Sequence, residues 1–295
     1  MSSAGDPSSA RPLGGRIAVV TGAARGIGRA AAAALAAAGA DVAGIDIAAA
    51  VSSILDYAAA DAEDLAETGR LVEQHGRRWL SLTVDQRDIA ALRQAAETVE
   101  QRWGGVDVLF ANAGIQAFKP LLEMGDADWH DQIDVNLTGT ANAIRVFAPM
   151  LVRRGGGRII VTSSTQGQHG TKFGSAYSAS KWGIIGLMKS AALEFGQHGI
   201  TVNAVIPGLV DTVLTRHEDR YAQAIITAGG EPSGDPARDE EAAKEALIKQ
   251  TPLAVPWVQP EDVAPLVVFL ASEQARMVSG TSFAVTAGDS AHVTA

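Results

Sequence analysis

Hydrophobic and polar positions follow two alternating periods along most of the chain. Short apolar, β-branched runs are each followed by a stretch in which apolar residues recur at helical spacing, from Arg16 almost to the C-terminus. This order is typical of βαβ units joined by right-handed crossovers. It predicts an α/β fold, a doubly wound parallel sheet with helices on both faces. Seven strands are expected, at residues 17–20, 41–45, 80–84, 108–110, 158–162, 201–205 and 282–285.

The rest of the sequence divides into helices and two irregular segments. Residues 47–60 separate a strand from the next helix by more than the roughly 2–6 residues usual there, which predicts a functional insertion. Residues 209–259 combine charged helix-like stretches with Gly- and Pro-rich turns, and we interpret them as a mobile substrate lid. Helices are expected at residues 26–38, 62–75, 88–103, 126–152, 174–197 and 261–271.

The two ends of the chain differ in character. The Ser-, Pro- and Gly-rich segment 1–14 has no apolar core and is expected to be a flexible tail. Residues 15–295 contain no recognisable linker or repeat, so one domain is expected there. The sequence shows neither a signal peptide nor an apolar run long enough to cross a bilayer. No membrane association and a cytoplasmic location are therefore expected.

Composition removes several classes of function. The 295 residues are 47% hydrophobic, which is enough for a sizeable core. A net charge of -9 with 5% aromatic residues argues against a nucleic-acid partner, because phosphates repel such a surface. The absence of cysteine excludes disulfides and thiolate nucleophiles. The six histidines lack the spacing of metal ligands, so no metal site is expected.

A glycine-rich turn follows the first predicted strand and leads directly into a helix. In this turn, Gly22 allows a sharp bend, Gly26 lets backbone N–H groups approach a pyrophosphate, and Gly28 permits close packing of helix on strand. A glycine cluster alone is weak evidence. The order of strand, turn and helix is the one that a Rossmann-type dinucleotide site requires, and it favours nucleotide binding.

An acidic residue at the end of the second strand indicates which nucleotide is bound. Asp46 stands eighteen residues after Gly28, close to the ~20-residue offset at which a carboxylate accepts from the adenosine ribose hydroxyls. Such a carboxylate favours NAD and repels the 2′-phosphate of NADP. Arg25 points the other way, since a basic residue in the loop can bind that phosphate. We give Asp46 more weight and predict NAD over NADP.

Four polar residues form the candidate catalytic set. Tyr177 and Lys181 are four residues apart on a predicted helix, so their side chains share one face. An ammonium at that spacing is expected to lower the pKa of the phenol and make it a usable acid and base. Ser164 follows the strand at 158–162, thirteen residues before Tyr177, and Asn136 lies in the preceding long helix.

The glycine-rich turn, Asn136, Ser164 and the pair of Tyr177 and Lys181 follow one another along the chain. By the order and spacing of these motifs, the chain resembles the short-chain dehydrogenase/reductase family from about residue 15 to residue 288. The resemblance implies that Tyr177 exchanges the substrate proton, that Ser164 hydrogen-bonds the reacting oxygen and that Lys181 also holds the nicotinamide ribose. It implies that Asn136 binds a water in a proton relay to Lys181. The matching stretches are Thr21-Gly22-x-x-x-Gly26-x-Gly28, Ala111-Asn112-Ala113-Gly114, Asn136, Ser164, Tyr177-x-x-x-Lys181 and Pro207-Gly208.

The same resemblance extends the expected cofactor site. It implies that Asp85 meets the adenine edge and that Thr212 holds the carboxamide. Further expected contacts are Ile27, Asn112, Gly114, Pro207 and Gly208. Two positions depart from the family pattern: Ala111 stands where a second Asn is frequent, and Gln86 stands where an apolar residue is usual. Neither belongs to the acid/base set.

The insertion at 47–60 and the segment after it resemble the carveol-dehydrogenase-like subgroup, in which such an insertion is associated with tightly held NAD. Val51, Ile54, Leu55 and Tyr57 make the insertion mildly apolar, and they are expected to cover the adenine face of the cofactor. The alternative is that these side chains pack against a neighbouring subunit.

These observations together predict an NAD(H)-dependent alcohol dehydrogenase or carbonyl reductase. The expected substrate is a hydrophobic or cyclic secondary alcohol or ketone, because the predicted pocket is mostly apolar. Two alternatives stay open: a 3-oxoacyl-carrier-protein reductase and a non-catalytic nucleotide-binding regulator. The resemblance implies a homotetramer, with helices 126–152 and 174–197 packed across subunits. The predicted pocket residues are Ile115, Ala117, Phe118, Thr165, Gln166, His169, Phe173 and Leu209.

Overall fold

A computed structural model describes residues 11–292, and its centre is one parallel sheet of seven strands. The strands lie in the order β3-β2-β1-β4-β5-β6-β7, so the winding direction reverses between β1 and β4. The strands are β1 (Ile17–Thr21), β2 (Asp41–Asp46), β3 (Trp79–Thr83), β4 (Val108–Ala111), β5 (Gly157–Thr162), β6 (Ile200–Pro207) and β7 (Ser282–Val285). The predicted fold class is confirmed.

Nine α-helices accompany the sheet in residues 11–292. Six of them cover its two faces: α1, α2 and α9 pack on one, and α3, α5 and α6 on the other. The helices are α1 (Gly26–Ala37), α2 (Ala62–Gln74), α3 (Ile89–Trp103), α4 (Asp126–Ile133), α5 (Gly139–Arg153), α6 (Ser175–Phe195), α7 (Glu218–Thr227), α8 (Pro236–Gln250) and α9 (Pro260–Ala271). None of these helices has the length and apolar character needed to cross a bilayer.

Alternating side chains of each strand feed two separate cores. In β1, Val19 faces the α3, α5 and α6 side, whereas Ala18 and Val20 face the side of α1, α2 and α9. Both faces of the sheet are covered, so the strands are continuously apolar, as parallel strands are. This burial fixes the register and brings the carboxyl ends of the strands to one edge.

The helix predicted at 126–152 is not a regular α-helix. It consists of α4, a π-helical segment (Asp134–Thr138) and α5. π-helical segments inside α-helices are rare overall, and many of those that occur lie at functional sites. Apolar periodicity gave the correct extent of the helix, but it carries no signal for one extra residue in a turn.

The boundary of the predicted N-terminal tail is wrong by several residues. Residues 1–10 lie outside the described part of the chain. In residues 11–14, however, Leu13 is 1% exposed and packs into the core on the α1 side. Its backbone N–H donates to the carbonyl of Ala38 at 2.9 Å. A single leucine in a polar segment gave no periodicity from which this packing could be predicted.

The lid has a small core of its own. Its two ends are joined by a parallel bridge between Val210 and Val258. Between these ends, α7 and α8 pack on each other around a separate cluster. The cluster contains Tyr221, Ile225, Ala243, Leu247 and Trp257. The lid therefore packs around its own apolar core, and its two ends lie side by side at the bridge between Val210 and Val258.

Candidate active site

A long cleft of about 1310 Å³ runs along the carboxyl edge of the sheet, where the winding reverses. Ligands of open α/β sheets bind at such a reversal. The structure places most of the predicted catalytic and cofactor residues on its walls. The predicted residues that line it are Gly22, Arg25, Gly26, Ile27, Asp46, Asp85, Asn112, Gly114, Ser164, Tyr177, Lys181, Pro207, Gly208 and Thr212.

The glycine-rich turn is a backbone cradle with no room for side chains. Gly22 has a φ of 68°, and a Cβ there would lie 2.7 Å from the Cα of Ala113. A Cβ on Gly28 would lie 1.9 Å from the carbonyl oxygen of Gly22. Gly28 does not line the cleft, so it acts through packing of the turn on α1. At Gly26, a Cβ would meet the Thr212 methyl group at 3.0 Å.

Asn112 ties the ends of three strands together beside this turn. Its side-chain amide donates to the carbonyl of Thr21 at 3.2 Å, and its side-chain carbonyl accepts from the hydroxyl of Thr162 at 3.0 Å. The hydroxyl of Thr21 in turn accepts from the backbone N–H of Asn112 at 3.0 Å. These bonds make the floor of the cleft rigid.

The Asp46 carboxylate is oriented by backbone groups on both sides. One oxygen accepts from the N–H of Ala24 in the glycine-rich turn at 3.0 Å, and the other accepts from the N–H of Ala48 at 3.0 Å. The side chain is only part-buried and lines the cleft. It therefore keeps acceptor capacity for a diol at this end of the cleft.

Asp85 is already paired within the chain. One of its carboxylate oxygens accepts from two nitrogens of the Arg87 guanidinium at 2.6 and 2.8 Å, and the other oxygen accepts from the same group at 3.1 Å. The pairing fixes the carboxylate at the cleft wall without using all of its lone pairs. Arg87 also lies 3.8 Å from Asp131, so this part of the wall is tied to α4.

Tyr177 and Lys181 lie buried at the other end of the cleft. The Lys181 ammonium is 5.5 Å from the centre of the Tyr177 ring and donates to the carbonyl of Thr162 at 2.9 Å. Burial lowers the pKa of Lys181 to about 8. The same burial raises the pKa of Tyr177, opposed by its hydrogen bond with Ser164 and by the charge of Arg220.

The sequence predicted that Lys181 lowers the pKa of Tyr177, but in the structure this pKa is raised. Helical spacing puts both side chains on one face, as predicted. Burial raises the pKa of Tyr177, because a buried phenolate loses its hydration, and neither the hydrogen bond with Ser164 nor the charge of Arg220 reverses this rise. Ser164 itself accepts from the backbone N–H of Gln166 at 3.2 Å, which orients its hydroxyl toward Tyr177.

Asn136 lies in the π-helical segment with its side chain fully buried. Its amide donates to the carbonyl of Ile115 at 2.9 Å and to the hydroxyl of Ser180 at 3.0 Å, and its oxygen accepts from the N–H of Ile115 at 2.8 Å. The side chain is thus committed to two protein partners. It positions α6 against the cleft floor. Both amide donors are used, and the side-chain oxygen keeps one acceptor site, so the water relay through Asn136 stays a prediction.

The unusual Gln86 supports the π-helical segment. Its amide donates to the carbonyl of Val135 at 2.7 Å and to the carbonyl of Ala113 at 3.1 Å. The side chain fits because Gly139 has none: a Cβ there would lie 2.5 Å from Gln86. An apolar residue at this position could not make these bonds. Gln86 therefore links the cleft wall to the helix that carries Asn136.

Ile115 is the predicted substrate residue that lines the cleft. Gln166 is buried outside the cleft, and its side-chain oxygen accepts from the hydroxyl of Ser178 at 3.2 Å. Phe173 is 40% exposed, and Leu209 packs against the core of the lid instead of the cleft. Leu209 turns inward because the lid has its own apolar cluster, which the sequence did not reveal. Four further predicted residues do not line the cleft: Ala117, Phe118, Thr165 and His169.

The insertion reaches further along the cleft than expected. Val51 and Leu55 line the cleft, as the clamp hypothesis requires. Tyr57, however, lies at the reacting end and not over the adenine: its hydroxyl accepts from the N–H of Gln116 at 3.3 Å. Its ring is 5.4 Å from that of His217 in the lid, and His217 pairs with Asp56 at 2.8 Å. The insertion therefore contacts the lid within the same chain.

Two residues near the reacting end were not among the predicted site residues. Arg220 in α7 lies over the ring of Phe118, 4.7 Å from its centre. Tyr57 was assigned to the wrong end. One signal was available for Tyr57: the chain has three tyrosines, and all three line the cleft. No comparable signal distinguished Arg220 from the other charged residues of the lid.

A backbone cradle, a carboxylate at the end of β2 and a buried Tyr–Lys pair along one cleft are typical of dinucleotide-dependent oxidoreductases of the Rossmann type. The model of the short chain dehydrogenase family matches residues 16–222. The chain belongs to this family. The predictions of family and enzyme class are confirmed.

Relatives match nearly the whole chain. A short-chain type dehydrogenase/reductase of Mycolicibacterium smegmatis is 40% identical over 276 residues, 93% of this chain and 96% of the relative. The (-)-trans-carveol dehydrogenase of Rhodococcus erythropolis is 37% identical over 279 residues, 93% and 97% of the two chains. The crystal structure of a carveol dehydrogenase from Mycobacterium avium in complex with NAD has a TM-score of 0.86 and 36% identity, covering 94% and 98%. The predicted likeness to carveol dehydrogenases is confirmed.

Replacement of Asp46 by Ser should change the nucleotide preference. The carboxylate that accepts from a ribose diol and repels a 2′-phosphate is removed, while Arg25 remains in the loop. A bond to a charged group contributes about 1.5–3 kcal/mol, so the NAD-to-NADP ratio of kcat/KM should fall roughly 10- to 100-fold. Glu97→Gln removes an exposed charge on α3 and should leave the ratio unchanged. A parent protein that prefers NADPH would contradict the assignment of Asp46.

The buried Lys181 predicts a pH dependence of stability. Its pKa is about 8 in the folded protein and 10.5 ordinarily, so the unfolded chain binds more protons between these values. The free energy of unfolding should therefore rise with pH in this range, by up to about 3 kcal/mol. Denaturant unfolding of the cofactor-free protein at pH 7 to 10 should show this rise relative to Lys181→Met. The exposed Lys189→Met is the control, and identical pH slopes in parent and Lys181→Met would refute the prediction.

Proposed function

We propose that the protein is an NAD-dependent dehydrogenase or reductase that interconverts a secondary alcohol and a ketone. The observation that carries the proposal is that one cleft joins the Asp46 end to the buried pair of Tyr177 and Lys181. A dinucleotide that extends along such a cleft brings its nicotinamide next to an acid/base residue. Fold alone would not support this proposal, since many binding proteins share it.

The residues of the cleft fit NAD. Gly22 and Gly26 carry no side chain where a Cβ would be in close contact with its neighbours, so a pyrophosphate can approach the backbone and the N-terminus of α1. Asp46 is held in an orientation that suits a ribose diol. Relatives described as NAD-dependent, and a neighbour solved with NAD, agree with this choice. When bound, NAD supplies the hydride chemistry, and the protein supplies orientation and an acid/base.

The side chains at the reacting end divide the remaining tasks. Tyr177 donates a proton to the substrate oxygen in reduction and accepts it in oxidation. Ser164 hydrogen-bonds the same oxygen and stabilises charge that develops on it. Lys181 contributes its positive charge close to the phenol and a donor toward the nicotinamide ribose. Its low pKa keeps that proton exchangeable near neutral pH.

The substrate that we propose is apolar or cyclic. Ile115, Tyr57 and Tyr221 supply apolar surface around the reacting end of the cleft. A reductase for carrier-protein substrates is less well supported, because the net charge of -9 does not suit docking of an acidic carrier. A non-catalytic regulator is disfavoured by the retention of Ser164, Tyr177 and Lys181. The homotetramer and the cytoplasmic location stay predictions.

Tyr177→Phe should remove catalysis while preserving cofactor binding. The change deletes the exchangeable proton and almost no volume, so turnover should fall roughly 10²- to 10⁴-fold. The assay follows NADH absorbance with a panel of cyclic alcohols and ketones, and NAD affinity is measured separately by titration. Trp182→Phe, at an exposed position of the same helix as Tyr177, is the control and should retain most of the activity. Activity of Tyr177→Phe within a few fold of the parent would exclude Tyr177 as the acid/base.

The insertion should slow the release of NAD. Val51 and Leu55 line the cleft, and their burial against a bound dinucleotide would retard dissociation more than association. We expect freshly purified protein to release NAD(H) on denaturation. Leu55→Ser, and a variant with 47–60 shortened, should raise the NAD dissociation rate. Ser53→Ala, at an exposed position of the insertion, is the control.

Two results together would contradict this clamp. One is a parent protein that carries no cofactor, and the other is an unchanged NAD dissociation rate in both variants. The insertion would then serve another contact, such as a subunit interface.

A further inference from the structure

Arg220 differs from Arg216 of the same lid segment in having no acidic partner among the described residues. Arg216, one turn earlier, pairs with both Asp211 and Glu240 and lies over the ring of Trp257. For Arg220, no carboxylate lies within 4.0 Å in the described residues 11–292. Its hydrogen-bond acceptor in that range is the side-chain oxygen of Gln223.

The acidic groups closest to Arg220 in sequence are engaged elsewhere. Asp219 interacts with Asp56 of the insertion, and the burial of Asp219 and the charge of Asp56 raise its pKa. Asp56 in turn pairs with His217 at 2.8 Å. The insertion and the lid are thus joined by a hydrogen-bonded contact of their own beside Arg220. Within residues 11–292, no carboxylate balances the charge of Arg220 at short range.

The guanidinium lies near the start of α6, because the Phe118 ring that it covers is 3.3 Å from the Cβ position of Gly174, the residue before that helix and three residues before Tyr177. Its charge is close enough to Tyr177 to lower the pKa of that phenol. One face of the guanidinium lies over the ring of Phe118, 4.7 Å from its centre. A cation on an aromatic face still has the in-plane N–H donors of its fork available. Burial lowers the pKa of Arg220 to about 10, so the group is charged at neutral pH.

A charge in such a place needs a counter-charge. Removing a cation from water without an anionic partner is unfavourable, whereas a guanidinium and a carboxylate form two parallel, charge-assisted hydrogen bonds. The chain provides the cation, the aromatic platform and the adjacent acid/base residue. It provides no anion there.

We propose that Arg220 binds a carboxylate of the substrate. The substrate is then an alcohol or ketone with an apolar, preferably cyclic, body and a carboxylate on the side away from the cofactor. This inference rests on the proposed function, because it places the carboxylate relative to the reacting carbon beside Tyr177. It changes the expectation of a purely hydrophobic substrate to that of an apolar hydroxy or keto acid.

Binding is tested first, without turnover. The probes are cyclohexanecarboxylate and cyclohexanecarboxamide, which have the same ring and differ in charge, titrated into the protein loaded with NADH and followed by cofactor fluorescence. The carboxylate should bind roughly 10- to 100-fold more tightly than the amide, as expected for bonds between charged groups. Arg220→Gln should abolish this difference, and Arg220→Lys should restore part of it. Arg238→Gln, an exposed lid arginine, should not change it.

Turnover is tested next with 3- and 4-hydroxycyclohexanecarboxylate and their methyl esters. The acids should have the higher kcat/KM with NAD in the parent, and Arg220→Gln should affect the acids far more than the esters. If Arg220→Gln lowers kcat/KM equally for acids and esters and shifts the pH profile of both, Arg220 acts on Tyr177 and the proposal is overturned. Equal binding of carboxylate and amide in the parent would also overturn it.

The two proposals fail in different ways. Carboxylate binding that depends on Arg220, with no oxidation of any alcohol, would contradict the proposed dehydrogenase and leave the anion site intact. Oxidation of neutral cyclic alcohols with no preference for acids would support the dehydrogenase and refute the role of Arg220.

Discussion

The reversal of winding between β1 and β4 is the constraint on which the rest of the structure depends. Because α1 and α5 leave the sheet on opposite faces, the carboxyl ends of β1 and β4 border a crevice that no helix covers. Asn112 and Thr21 hold the two strand ends together across it. Every group assigned to the cofactor or to catalysis is placed relative to this crevice.

Burial sets the chemistry at one end of the crevice and exposure sets it at the other. Asp46 is part-buried, and its side-chain oxygens keep acceptor capacity for a polar ligand. Lys181 is 3% exposed, and the loss of water brings its pKa close to neutral while raising that of Tyr177. The two pKa values therefore move apart: that of Lys181 falls from 10.5 to about 8, and that of Tyr177 rises from 10.0.

Periodicity and glycine placement were sufficient to predict the sheet, its seven strands and the cofactor loop, because both are local properties of the sequence. Four features depended on contacts between distant residues and were not predictable. The inward turn of Leu209 requires the lid core, and the burial of Leu13 requires the groove beside α1. Tyr57 reaches the catalytic end because its hydroxyl meets Gln116 and its ring meets His217. The π-helical turn at Asn136 likewise needs Gln86, which lies far away in sequence.

The central claim is that the crevice brings a nicotinamide and a carbonyl carbon together beside Tyr177. The most direct measurement is hydride labelling with NADH that carries deuterium at nicotinamide C4, incubated with a panel of cyclic ketones and keto acids. Mass spectrometry of the product should find one deuterium on the new carbinol carbon, at an amount equal to the NADH consumed. Consumption of NADH without label in the alcohol, or no alcohol product from any ketone of the panel, would contradict the account.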